Sequence, residues 1–253
     1  MCIVALNYNP SSDNPLQIIA NRDEFYDRPA QPLHEWLLNG VKIYGGRDEK
    51  EQGTWLATNS KGYLVVITNY RNPRLEKSTA QSRGQIATQF LIGHHTSLAF
   101  ARELQLDKDN YGPFNVLLFD GEQLVHYNNV TNVITKVTTG IHGLCNATLN
   151  TPWPKVEKLK KQYTKAIANH DSDEQLFTIL RDETKAPVSM LPSTGVAPEL
   201  ELGLSSIFIR LPHYGTRCST ICTISNTTIS MQEWTYVQGE PTHFEQLIRP
   251  IET

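Results

Sequence analysis

The amino-acid sequence predicts an α/β fold in which antiparallel sheets are covered by helices in stacked layers. Three observations predict it. Strand-like segments dominate the first third of the chain, helical segments with an apolar stripe interrupt them, and strand-like segments return after a Pro-rich loop. A length of 253 residues, a 39% hydrophobic content and no internal repeat suit one domain over residues 1–253.

Each element follows from its local pattern. Cys2–Tyr8 is apolar and β-prone, Asn9-Pro10-Ser11-Ser12-Asp13 is dense in turn formers, and Leu16–Ala20 returns as a second strand, which predicts a hairpin. Trp55–Ala57 and Tyr63–Thr68 flank Asn59-Ser60-Lys61-Gly62 and predict another. Phe114–Phe119 and Gln123–Tyr127 flank the turn signal Asp120-Gly121. Ser82 followed by Gln85 is a capping-box pattern ahead of the stripe Ile86, Phe90 and Leu91. Thr96 is placed to cap a second helix through about Leu106. A third helix begins near Pro154 with Val156, Leu159, Tyr163 and Ile167 on one face, and a fourth lies around Asp173–Arg181. Pro187, Pro192 and Pro198 mark a loop over roughly Ala186–Leu200, after which Ser206–Arg210, Thr220–Ser225 and Ser230–Val237 read as strands.

The bulk numbers exclude several classes. Twenty-three basic against 26 acidic residues leave a net charge of −3 with no basic stripe, so nucleic acid is not an expected partner. Lys155, Lys158, Lys160, Lys161 and Lys165 alternate with apolar positions at helical spacing and read as a solvated helix face. No stretch approaches the ~20 apolar residues of a membrane-spanning helix. The first residues carry no positive segment ahead of a long apolar run, and 4 cysteines in such a chain make no disulfide framework. A reducing, cytoplasmic setting is the expectation; the oligomeric state is open.

Cys2 directly follows the initiator Met and is small enough for that Met to be trimmed, which leaves a thiol beside its own α-amine. An amine with an ordinary pKa of about 7.7–8.0 can serve the thiol as base. Asn21-Arg22-Asp23-Glu24-Phe25 follows the strand that pairs with Cys2–Tyr8, so Arg22 is placed to stabilise a thiolate and Asp23 to hold the amine. Asn69 in Thr68-Asn69-Tyr70-Arg71 and Asn146 in Gly143-Leu144-Cys145-Asn146-Ala147 are candidate donors to a developing oxyanion. Arg217, at the mouth of a strand, suits a carboxylate or the nucleophile. Asn21, Glu24, Arg47, Trp55, Tyr70 and Arg71 complete the candidate ligand-binding set. Cys218, Cys222 and His213 match no standard zinc spacing, so no metal is expected. No Cys-x-x-Cys-His run exists for covalent haem attachment, and His126, His142, His213 and His243 offer no basis for choosing an axial ligand.

Together these clusters resemble the NRDE family, also called the transport and Golgi organization protein 2 family. The resemblance is carried in order by Met1-Cys2-Ile3, Asn21-Arg22-Asp23-Glu24-Phe25 with Arg28-Pro29, Gly46-Arg47-Asp48, Gly53-Thr54-Trp55-Leu56 and Thr68-Asn69-Tyr70-Arg71. It continues through Ser82-Arg83-Gly84, Phe114-Asn115, Asn146-Ala147, Thr151-Pro152-Trp153-Pro154-Lys155 and Tyr214-Gly215-Thr216-Arg217-Cys218-Ser219-Thr220. It implies a four-layer αββα sandwich of the N-terminal-nucleophile hydrolase type. More distantly, Cys2, Arg22, Asp23, Asn69, Asn146 and Arg217 are similar to the catalytic set of the cholylglycine hydrolase and penicillin V acylase amidases, from which the Asn21–Phe25 run departs. The family further implies haem trafficking, with haem as noncovalent cargo, or the handling of an acyl-CoA or lipid-like ligand. The alternative is hydrolysis of an amide or thioester by the Cys2 thiol and its α-amine.

Overall fold

A computed structural model of the chain describes residues 2–75, 81–93 and 95–252, Cys2 by its main chain alone. In chain order the strands are β1 (Cys2–Tyr8), β2 (Leu16–Phe25), β3 (Ala30–Leu38), β4 (Val41–Asp48), β5 (Leu56–Asn59), β6 (Leu64–Asn69), β7 (Phe114–Phe119), β8 (Leu124–Asn128), β9 (Val133–Lys136), β10 (Gly140–Leu144), β11 (Tyr214–Ile224), β12 (Thr228–Val237) and β13 (Glu240–Pro250). The helices are α1 (Arg83–Ile92), α2 (Ser97–Leu106), α3 (Pro154–Asn169), α4 (Asp173–Leu180) and α5 (Pro198–Gly203).

The strands form two antiparallel sheets, ordered β10-β1-β2-β11-β12-β13 and β3-β4-β5-β6-β7-β8-β9. Period-two alternation sorts their side chains into layers. Val4, Leu6, Leu16, Ile18, Leu64, Val66, Leu117 and Phe119 meet between the sheets. Their neighbours on the other face serve the helices. Ile3, Ala5 and Ile19 pack on Val156, Leu159 and Tyr163 of α3 and Leu176 of α4. Val65, Ile67, Val116 and Val125 pack on Ile86 and Phe90 of α1 and Phe100 of α2. The result is the expected αββα sandwich. Full burial of each such Val, Leu, Ile or Phe contributes roughly 1.5–3 kcal/mol, so the three clusters supply the drive for the whole arrangement.

The caps follow local chemistry. Thr96 Oγ1 accepts the Ala99 N–H at 3.3 Å, and Pro154 opens α3, where its missing N–H costs nothing. Ser82 stands before α1 in extended conformation but makes no side-chain cap, so the capping box expected there does not form; one forms instead at Ser172 with Gln175. The expected strand at Ser206–Arg210 is also absent: only Arg210 bridges to Gly215. Phe208 N–H donates to Asp182 O at 2.9 Å and Ser206 Oγ to Phe208 O at 2.6 Å, so these buried residues satisfy their polar groups without a ladder. Strands β3, β4, β9, β10 and β13 add to those read from sequence. Two of the added turns, Asn39-Gly40 and Gln238-Gly239, hold both central residues at positive φ (50° and 82°, 51° and 86°), the conformation that matches hairpin twist. No helix among the described residues is long and apolar enough to cross a membrane.

Candidate functional site

The ends of β1, β2 and β11 lie side by side, and their register assembles the site. Cys2 pairs with Arg22, and Arg22 pairs with Cys218 on its other flank. Asp23 pairs with Thr216, so Arg217 is the extra residue of a bulge between Thr216 and Cys218. A bulge re-aims the side chain that it carries. Met1 and the Cys2 side chain lie outside the described residues, so Cys2 is placed here by its backbone.

Arg22 is 6% exposed and turns toward the second sheet. Its Nη2 donates to Asp48 Oδ2 at 3.2 Å, and its guanidinium stacks 4.1 Å from the Trp55 ring centroid. That ring occupies the space over Gly46, where an added Cβ would lie 2.4 Å from Trp55, so Gly46 admits the indole and the indole supports Arg22. Asp48 also accepts from Arg28 Nε at 2.6 Å and from the Glu51 N–H at 2.9 Å. Burial pushes its carboxyl up, but these donors and the two guanidiniums hold it net below the usual carboxylate range.

Asp23 is 1% exposed, and its Oδ1 accepts from Thr216 Oγ1 at 2.7 Å. Burial raises its pKa, opposed first by the positive charge of Lys155. Asn146 follows β10 and is fully buried. Its Nδ2 donates to Asn69 O at 2.9 Å, its Oδ1 accepts from Arg71 Nη2 at 3.4 Å, and its carbonyl accepts the Arg71 N–H at 2.7 Å. A network between the sheets supports this corner. Thr68 Oγ1 donates to Cys145 O at 2.7 Å and accepts from Asn115 Nδ2 at 3.2 Å, while Asn115 Oδ1 meets His126 Nε2 at 3.0 Å. Burial pushes the His126 imidazole down to about 4.

Arg217 Nη1 donates to the carbonyls of Phe25, Tyr26 and Arg28 at 2.8–3.1 Å, fastening the turn after β2. Burial, then the nearby Arg22 charge, lowers its pKa. Arg22, Trp55, Arg217, Cys218 and Glu233 line a small cavity that opens to solvent. Two guanidiniums and an indole at one opening suit an anionic group on a flat or apolar body.

The remaining sequence candidates fall elsewhere or serve the fold. Asn21 points to the helix side, where its Nδ2 donates to Leu180 O and Ile207 O and its Oδ1 accepts from Ser219 Oγ. These bonds tie the strand to the segment beneath it. Arg47 lies on the outer face of β4 over Trp36, 5.1 Å from its ring centroid, because its neighbour Asp48 takes the inner face. Glu24 accepts the Phe25 N–H, and the Tyr70 N–H donates to Pro113 O; both residues are half-buried. Trp55 and Arg71 do join the site. Among the described residues no group of three His, Cys, Asp or Glu side chains could hold a metal ion.

One residue of this corner is misassigned from sequence, Lys155, and one is not singled out there, Glu233. Lys155 belongs to no solvated face: it is 3% exposed in the first turn of α3, beside Asp23, whereas Lys158 pairs outward with Asp182 at 2.6 Å. The available signal was Pro154 at the first helical position, which puts Lys155 in the first turn of the helix. Glu233 is 2% exposed; it accepts the Leu33 N–H at 2.7 Å and Thr220 Oγ1 at 2.8 Å, and burial raises its pKa. The alternation of β12 places it inward, a pattern that the sequence carried without marking the residue.

Among solved structures the fold is similar to the conjugated bile acid hydrolase of Clostridium perfringens, in two single-residue variants of that enzyme. The TM-score is 0.55 in both cases, at 9% and 8% identity over 100% of this chain and 97% of that one. The likeness shows an N-terminal-nucleophile hydrolase-like fold. In sequence the chain is 32% identical to the Transport and Golgi organization protein 2 homolog of Bos taurus and 30% identical to that of Homo sapiens, each over 97% of this chain and 96% of the relative. The family model described as Transport and Golgi organisation 2 matches residues 1–238, and the chain belongs to that family.

Proposed function

We propose that this chain is an N-terminal-cysteine acyl hydrolase acting on an amide or thioester whose acyl part or leaving group carries a negative charge. The observation that supports this reading most is the register that sets Cys2 opposite Arg22, next to buried Asp23. On this reading Met1 is removed and the Cys2 α-amine takes the thiol proton. The sulfur attacks the carbonyl, and the carbon–nitrogen or carbon–sulfur bond breaks as the leaving group takes that proton. Water then hydrolyses the thioester formed on Cys2, with the amine again as base. Asp23 orients the amine, Arg22 favours the thiolate, and Asn69 and Asn146 border the oxyanion. A cytoplasmic setting, where the thiol stays reduced, belongs to the same proposal.

The conjugated bile acid hydrolase supports the reading through its fold and by the reaction that its name states. The test is turnover of a panel of anionic acyl amides and acyl thioesters by untagged protein with its N-terminal mass established. Cys2→Ala is expected to reduce turnover by roughly 10³-fold or more. Turnover that survives Cys2→Ala sinks the reading.

A second reading is favoured by the Arg22–Arg217 cavity, where the Arg22 guanidinium over the Trp55 indole and the neighbouring Arg217 suit haem propionates: the chain then carries haem as noncovalent cargo. Titration with haem separates the two. A saturable Soret shift that persists in Cys2→Ala but weakens in Arg217→Met supports haem carriage, and its absence at micromolar concentration removes it.

A further inference from the structure

We propose that Lys155 and Arg71, at the N-terminal end of α3, form an anion subsite that takes a carboxylate or phosphate group of the ligand. The inference extends the reading above by naming what the far side of the site recognises, and it stands on different atoms from Cys2.

Lys155 carries the argument. Its side chain is 3% exposed, and Nζ has no hydrogen-bond partner among the described residues. An ammonium in this state has given up water without regaining acceptors, a desolvation penalty that an incoming anion offsets. The carboxylate that shares its cavity is already committed. Glu201 Oε2 accepts from Arg71 Nη1 at 2.7 Å, and Glu201 Oε1 accepts from the Thr194 N–H at 3.1 Å and from the Thr194 hydroxyl. Asp23 is likewise bonded to Thr216, so its charge opposes that of Lys155 without closing the ammonium's donor set.

The surroundings fit an anion. Arg71, Trp153, Lys155, Glu201 and Ser205 border a small cavity that opens to solvent. Arg71 stacks over Trp153 at 5.0 Å from the ring centroid, which holds the guanidinium plane while Glu201 occupies one of its edges. Lys155 sits in the first turn of the 16-residue helix α3, whose N-terminal partial positive charge points the same way. Arg71 and Lys155 face two carboxylates, Glu201 and Asp23, each already bonded to other donors, so with the helix N-terminus beside them an incoming anionic oxygen gains a charge-assisted bond from Lys155. The ammonium is a point donor that serves planar carboxylate and tetrahedral phosphate alike.

The test uses the full chain with inorganic phosphate and with acetate, at ionic strength matched by sodium chloride. A saturable rise in melting temperature with one of them is expected, and which one acts tells carboxylate from phosphate. Lys155→Met should abolish that rise, and Lys155→Arg should retain it. If Lys155→Met fails to fold, ¹⁵N-lysine spectra of the unaltered chain decide: the Lys155 ammonium signal should move saturably with the active anion. No rise beyond the chloride control, a rise that Lys155→Met leaves unchanged, or a stationary lysine signal overturns the proposal. None of these outcomes depends on Cys2, so loss of turnover in Cys2→Ala and loss of anion binding are read separately.

Discussion

Removing Glu201 should unsettle the corner of the molecule that holds Arg71. The two side chains are each 5% exposed, and Nη1 and Oε2 lie 2.7 Å apart. At an effective dielectric of about 20 and a charge separation of ~4 Å the attraction is about 4 kcal/mol. Glu201→Ala deletes it and leaves a buried guanidinium, a loss that falls at roughly 3–5 kcal/mol when one partner of such a pair is removed. Arg71 keeps Asn146 Oδ1 and the Trp153 face, which argues for the lower end, about 3 kcal/mol. The Thr194 N–H is orphaned as well. For a chain of this size each kcal/mol moves the melting temperature by ~2–4 °C, so a fall of about 6–12 °C is expected by thermal unfolding with a fluorescence or ellipticity readout. Glu201→Gln keeps the shape and should lose less. The double replacement Arg71→Met with Glu201→Met should be less damaging than the sum of the single changes, because it leaves no buried charge behind. A fall of under ~2 °C for Glu201→Ala would refute the reasoning, since the pair would then be screened as a surface pair is.

Three further outcomes follow from the same contacts. His126 has a folded pKa of about 4 against an ordinary 6.5, so between these values the unfolded chain holds more protons and stability falls as pH falls. Across the whole window the loss is about 3 kcal/mol, and His126→Gln should flatten the dependence of melting temperature on pH between 7 and 5; an unchanged slope contradicts the assignment. Asn21→Ala leaves Leu180 O, Ile207 O and Ser219 Oγ without their buried partner and should cost more than ~2 kcal/mol in urea unfolding, with Cys2 alkylation unchanged at temperatures where the variant is folded. Gly53→Ala sets a Cβ 2.4 Å from the Gly84 carbonyl carbon, a backbone clash that should cost ~1–3 kcal/mol and lower the melting temperature, whereas Gly121→Ala meets open space and should lose only the smaller amount due to its positive φ.

Much of the site lay along the chain in legible pieces, but not its membership. Arg22 and Arg47 both sit in polar motifs at strand ends, and nothing local separates them. Strand parity does, because Arg22 and Asp48 share the space between the sheets while Arg47 turns out to Trp36. Asn21 and Asp23 flank Arg22 and look equally functional, yet Asn21 spends its amide on three structural bonds. The bulge that frees Arg217 is a property of two strands in register. The turn Asn39-Gly40 was a readable hairpin signal, whereas Gln238-Gly239 was not; the flanking strands were harder to see, since β13 is exposed along much of its length and β3 contains Pro32.

By itself the sequence determined what depends on neighbours a few residues apart. The hairpins of β1 with β2, β5 with β6 and β7 with β8 follow from alternation and turn chemistry, and α2, α3 and α4 follow from caps and apolar stripes. Local energies of ~0.5–2 kcal/mol at caps and turns are enough to mark such elements. Only the tertiary structure decided which polar residues meet. It buried Lys155 beside Asp23, paired Arg71 with Glu201 across 130 positions, and set Glu233 inward on β12. The physical reason is that burial and electrostatics are sums over whatever surrounds a group in space, and those neighbours come from strands far apart in the chain.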